Sequence, residues 1–183
     1  MWGCLRRHEA SDLPVPDTAA EEYLWKTFQA INEWIMFSDA KAGAILAALG
    51  AIAVVALQNL ASVAGYLSQN PITFFALIAG GISGAVSAFF GIRCVTPSLG
   101  SGEATSLVYF AHIAQAHKEA AKYDQAVRRM LSEPSLRLRE LTHQIWVNSC
   151  IAKRKHQDVI RSSRFLVGTL VAAVVAIVDI LIQ

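Results

Sequence analysis

The chain has 183 residues, of which 54% are hydrophobic and 16% charged, and its mean hydropathy is +0.40. That excludes an ordinary soluble domain of this length. The net charge of +2 is small, but the charges are segregated, and no Asp, Glu, Lys or Arg occurs between Ala42 and Ile92.

Residues 1–17 carry Pro14, Pro16 and scattered charge and read as a flexible tail. Arg6 and Arg7 are followed by no apolar run, so a cleaved signal peptide is not expected. Thr18-Ala-Ala-Glu21 has the spacing of a capping box. After it, Leu24, Phe28, Ile31 and Ile35 recur at 4-3-4 spacing and predict an amphipathic helix over 18–41. No breaker separates that helix from the apolar run. One helix is therefore expected to leave water and become the first span, residues 42–66, since a span needs about 20 apolar residues.

Ser68-Gln-Asn-Pro71 is a turn signal, and a second span follows over 72–95. It holds Gly80, Gly84 and Ala88 at four-residue intervals, and the first span holds Ala44 and Ala48. Small residues so spaced let helix backbones approach closely in lipid, within one chain or between chains. Thr96-Pro-Ser-Leu-Gly-Ser-Gly102 breaks the pattern. A helix is then predicted from about Glu103 to Leu131 on the seam of Tyr109, Ile113, Ala116, Ala120, Tyr123, Val127 and Met130. Ser132-Glu-Pro134 ends it.

The last helix starts near Ser135 and meets no breaker before a third span at 165–183. Its seam runs through Leu138, Leu141, Ile145, Asn148, Ala152, Lys155, Val159, Ser162 and Leu166, with Asn148, Lys155 and Ser162 as polar members. Polar seam residues either fix register and partner number or line a site. Asp179, near the end of the third span, is expected at the outer interface.

Four of the 16 Lys and Arg residues precede Ala42 and the other twelve lie between Arg93 and Arg164. By the positive-inside rule, 1–41 and 93–164 are cytoplasmic and the link at Ser68–Pro71 is outside. The fold class expected is an all-α membrane protein. Its three transmembrane helices, a hairpin plus a C-terminal span, continue into a small cytoplasmic helical bundle at 18–41 and 96–164. Asp39, Lys41, Arg93 and Arg164 fall at the membrane boundaries and are read as anchors.

Enzyme signatures are missing. There is no GxSxG, HExxH, P-loop or dinucleotide fingerprint. His112 and His117 are too far off one helix face for paired metal ligation, and no metal or cofactor is expected. Cys4, Cys94 and Cys150 show no CxxC spacing, so neither a disulfide framework nor a zinc site is expected. Gln144, Trp146, Asn148, Lys153, Arg154, Lys155 and Arg161 crowd the approach to the third span. They suit anionic lipid or a pocket in which cations hold phosphate, amides read a base edge and an aromatic stacks on the base.

Three segments carry a family likeness: INEWIMFSDAKAGAIL (31–46), TPSLGSGEATSLVYFAHIA (96–114) and HQIWVNSCIAKRKHQDVIRSS (143–163). The D-x-K-A-G approach to the first span, the Tyr-Phe-x-His-Ile block and the Q-I-x-x-N-S-x-I-A-x-x-K helix resemble the transmembrane effectors of Pycsar antiphage systems. The likeness covers roughly residues 24 to 166. It implies a bacterial inner-membrane protein that senses cUMP or cCMP from a partner cyclase and damages the membrane, halting the cell before phage spread. The family pattern has Lys-Tyr where this chain has Lys155-His156. Ligand contacts are expected at Trp34, Tyr109, Gln144, Asn148, Lys153 and Lys155. A homo-oligomer is expected, and no nucleic-acid polymer as partner. The competing reading is a constitutive membrane-anchored interaction module without a nucleotide ligand.

Overall fold

The computed structural model describes residues 18–59, 70–97 and 110–182, with positions 61, 65 and 107. Among these, every regular element is an α-helix: α1 (Thr18–Gln58), α2 (Pro71–Val95), α3 (Phe110–Ala116), α4 (Ala120–Ser132) and α5 (Pro134–Ile182). The predicted tail, the Ser68 end of the turn, and Tyr109 lie outside the described residues.

Helices α1, α2 and α5 are long and apolar enough to cross a membrane. α2, at 25 residues, is close to the length that the ~30 Å hydrocarbon core demands. α1 and α5, at 41 and 49 residues, extend to about 60 and 75 Å at 1.5 Å per residue. Each therefore continues well beyond a bilayer without a break. Local chemistry sets the ends. Pro71 opens α2 after Asn70 at a position where its missing N–H costs nothing. Thr96 closes that helix, its backbone N–H and hydroxyl both donating to the Ile92 carbonyl. Glu133 is extended, as a residue before proline must tend to be, and Pro134 starts α5.

The predicted helix over 103–131 is interrupted. α3 stops at Ala116, and α4 begins at Ala120 after Glu119 turns extended. The Glu119 carbonyl accepts from the Lys122 and Tyr123 amides, and its carboxylate pairs with Lys122 at 3.1 Å. His117 packs against the Tyr123 ring at 5.6 Å, and the Tyr123 hydroxyl donates to the Leu107 carbonyl. The seam positions flanking the gap are Ala116 and Ala120, whose small side chains do little to hold a helix through it.

The described residues form two compact units. The first comprises α1 up to Trp34, α3, α4, and α5 up to Lys153. Its inward positions include Leu138, Leu141 and Gln144 on α5. Leu24, Phe28 and Ile31 on α1 are half-buried.

The second unit contains α1 from Ile35, α2, and α5 from Arg154. α2 runs antiparallel to α5, with Thr73 bonded to Asp179 and Ser87 to Ser162. α1 runs parallel to α5, Ala42 and Ile45 clustering with Val159 and Leu166. Buried positions on α2 recur every seven residues at Thr73, Gly80, Ser87 and Cys94, and those on α5 at Lys155, Ser162, Thr169 and Ala176. Both sets are mainly small or polar. Ser87 and Ser162 each donate to the other's backbone carbonyl, at 2.7 and 2.8 Å, and Ser83 donates to the Phe165 carbonyl. The exposed side chains are the large apolar ones, among them Phe75, Ile82, Phe89, Val171, Val174 and Ile177. A polar interior beneath an apolar exterior reverses the soluble arrangement and matches helices packed in lipid. Asp179, expected at an interface, is half-buried and accepts from the fully buried Thr73 hydroxyl.

The small residues of α2 serve contacts inside this chain. A Cβ on Gly80 would lie 3.1 Å from the Ala172 Cβ, and one on Gly84 would meet the Thr169 side chain, whereas one on Gly81 would meet nothing. Gly80→Leu is therefore expected to lower unfolding stability in micelles by about 1–3 kcal/mol, the usual cost of overpacking. Gly81→Leu should stay within about 0.5 kcal/mol of the parent. Helicity followed during denaturant titration reads both.

Candidate functional site

In the second unit, polar groups converge where α2 ends. The carbonyl of Cys94 would need the amide four residues on to stay within the helix, but α2 stops at Val95 and leaves it an orphan acceptor. The Lys155 ammonium fills that place, donating to the Cys94 carbonyl at 2.7 Å and to Asp39 Oδ1 at 2.5 Å. A cation at a helix C-terminus also meets the negative end of the dipole. The Lys155 side chain is only 6% exposed, while that of Asp39 is 35% exposed, so the pair has one dry and one wet partner. The buried Cys94 thiol lies 3.6–3.8 Å from the carbonyls of Lys155 and Ser38 and from the Asp39 carboxylate.

One turn further along α5, Asp158 is fully buried and accepts from Arg93 Nε at 3.0 Å. Its other oxygen, 3.7 Å from Arg161, has no hydrogen-bond partner among the described residues. The guanidinium carbons of Arg93 and Arg161 lie 5.7 and 5.4 Å from the Phe90 ring centre, within cation–π range. Phe90 stacks on Phe165. Three cations thus share two carboxylates and one orphan carbonyl.

In the first unit, an amide chain links the two long helices. The Gln144 side-chain amide donates to Asn148 Oδ1 at 3.2 Å, and Asn148 donates to Asn32 Oδ1 at 2.8 Å. Arg137 pairs with Glu21 at 2.7 Å. Glu21–Arg137, Asn32–Asn148 and Asp39–Lys155 all join residues 116 apart in sequence. Within the first unit, the Glu21–Arg137 and Asn32–Asn148 pairs share one offset, so α1 and α5 run side by side there in a fixed register.

The expected ligand residues are distributed unevenly. Gln144 and Asn148 are in contact; Gln144 is buried. Trp34 is 58% exposed, and Lys153 is exposed. Lys155 belongs to the second unit, its ammonium engaged by Asp39 and Cys94. Of the expected boundary anchors, Asp39 and Arg93 make ion pairs inside the unit, Lys41 lies 4.3 Å from the Phe37 ring centre, and Arg164 is exposed. Sequence reading missed Asn32, Cys94 and Asp158. The available signal for Asp158 was a carboxylate three residues beyond a polar seam lysine. Cys94 is a free thiol. Cys150 is in a disulfide, contrary to expectation. No trio of His, Cys, Asp or Glu gathers as a metal site among the described residues.

The described residues, all helical in their regular structure, with three helices long and apolar enough to cross a bilayer, polar and small within and apolar without, are those of a multi-pass membrane protein. The Pycsar effector protein domain (PycTM) matches residues 23–182. The chain belongs to that family and is a membrane effector of antiphage defence. The match takes in all three candidate spans, further than the sequence likeness to residue 166. No curated protein and no solved structure matches the chain.

The two partners of the Lys155–Asp39 pair should not be equivalent. Asp39→Asn strands an ammonium out of water and is expected to cost roughly 2–4 kcal/mol, below the figure for a fully buried pair because Asp39 is partly wet. Lys155→Met leaves Asp39 free to turn to solvent and should cost less. A double-mutant cycle in micelles should return a coupling of about 1 kcal/mol or more between the two sites.

Proposed function

We propose that this effector is activated by a cyclic pyrimidine mononucleotide, cUMP or cCMP from a partner cyclase, and that activation permeabilises the bacterial inner membrane and aborts infection. The observation that carries this reading is the family match over residues 23–182. The first unit is taken as cytoplasmic, following the placement of Lys and Arg.

The first unit offers the chemistry such a ligand requires. Asn148 and Gln144 present amides suited to a pyrimidine edge, Lys153 is an exposed cation for the phosphate, and Trp34 is an exposed aromatic. Lys155 is a poorer choice for first contact, because a phosphate there must displace Asp39. A base that takes the Asn148 amide competes with Asn32, and so acts on the packing of α1 against α5. Both helices continue into the spans. By linkage, ligand drives the change only if it binds the active packing more tightly than the resting one. With three spans per chain, a pore requires several copies, so the active form is a homo-oligomer.

Dye release from liposomes holding purified protein tests the reading. cUMP or cCMP should raise leakage at least about tenfold over cAMP or no nucleotide, a differential of about 1.4 kcal/mol. Asn148→Ala and Lys153→Ala should shift the response to higher nucleotide concentration. Equal leakage in all four conditions, with no heat of nucleotide binding by calorimetry, would instead support a constitutive membrane-anchored interaction module.

A further inference from the structure

The second unit contains a groove of about 480 Å³ between α1 and α5. Its walls are apolar, formed by Ala44, Ile45, Val159 and Ile160, and its polar lining is Lys41, His156, Ser163 and Arg164. No carboxylate lines it. Nearby cations Arg93, Lys155 and Arg161 each lie within reach of an Asp. Lys41 and Arg164 pair with no carboxylate among the described residues, and both are exposed. In a helix, side chains tilt toward the N-terminus, so Arg164 reaches back toward the end of the groove where Lys41 and His156 stand.

Two cations without a carboxylate partner (Lys41 lies over the Phe37 ring), a hydroxyl and a nearby imidazole suit a phosphodiester carrying one negative charge. The apolar walls, with Val167 and Val171 exposed at helical spacing further along α5, suit the glycerol and upper acyl chain attached to it. The missing carboxylate disfavours a zwitterionic headgroup, whose ammonium would find no partner. Cyclic nucleotides carry the same phosphodiester charge, but they have no use for apolar walls that open sideways onto a lipid-facing surface. We infer that this groove is a binding site for one anionic phospholipid, held at its phosphodiester by Lys41 and Arg164. The bound lipid spans α1 and α5 at the membrane boundary and adds to their packing. The inference stands apart from nucleotide activation and would survive its failure.

The test is native mass spectrometry of the full chain in mixed micelles containing equal phosphatidylglycerol and phosphatidylcholine. The parent should retain one phosphatidylglycerol per chain in preference to phosphatidylcholine. Lys41→Gln and Arg164→Gln should each weaken retention about fivefold, the equivalent of about 1 kcal/mol per juxtamembrane cation. Ala44→Trp fills the groove without altering charge and should abolish retention. Cations that merely reach generic headgroups would be indifferent to that change. Helicity and elution volume establish that each variant is folded; if Ala44→Trp is not, Arg164→Gln decides. Equal retention of the two lipids, or unchanged retention in the folded groove-filled variant or in Arg164→Gln, overturns the site. Millimolar cUMP, cCMP or inorganic phosphate should leave the lipid bound. Displacement by any of them would give the phosphodiester site to a soluble ligand and overturn the lipid assignment.

Discussion

Lys155 is an ammonium taken almost wholly out of water, and that demands compensation. An isolated buried charge is prohibitive, so α5 can place Lys155 inward only where a carboxylate and a free carbonyl wait together. Asp39 on α1 provides the first, and the end of α2 the second, because stopping at Val95 leaves the Cys94 carbonyl unclaimed. One side chain on α5 thereby fixes a position on each of the other two membrane-crossing helices. The Arg93–Asp158 pair, one turn away, binds α2 to α5 a second time.

The rest of the second unit follows the logic of a solvent that offers helices no hydrophobic reason to associate. What remains is close approach and hydrogen bonding, and the buried faces contain the residues that provide both. Glycines at positions 80, 84 and 91 leave room for side chains of the facing helices, and the Gly80 site also lies near the Thr169 carbonyl. Serine and threonine hydroxyls find carbonyls across the interface or on their own helix. Large apolar side chains are directed outward, where lipid accepts them. The polar seam residues of α5 accordingly bond to neighbouring helices: Asn148 to Asn32, Lys155 to Asp39 and the Cys94 carbonyl, and Ser162 to the Ser87 carbonyl.

Much of the helical layout was legible in the sequence because it depends on spacing within one element. The 4-3 rhythm of Leu138, Leu141, Lys155, Val159 and Ser162 marks the buried face of α5, and Pro71 and Pro134 mark helix starts. What depends on partners was not legible. Asp39 and Lys155 are 116 residues apart and Arg93 and Asp158 are 65 apart, and nothing in either neighbourhood names the other. The interruption at His117–Glu119 was hidden because the seven-residue rhythm continues across it. It is set instead by local bonding around Glu119 and by the Tyr123 hydroxyl reaching back to Leu107. The residues expected to bind a ligand fall in different units, Gln144 and Asn148 in the first and Lys155 in the second, a division that no spacing along α5 announces.

Within the second unit, the Asp39–Lys155 contact and the cluster of Ala42, Ile45, Val159 and Leu166 behave like neighbouring teeth of a rack. If α5 slid along α1 by less than a heptad, polar seam residues would face apolar ones. A full heptad, about 10.5 Å, would leave both Asp39 and Lys155 without a charged partner. Axial sliding is thus barred at small amplitudes and penalised at large ones, whereas rotation or tilt about the Lys155 contact leaves every tooth near its partner. Motion of these two helices within the unit is therefore confined to torsion and lean, the motions that change which sides a helix presents to its surroundings.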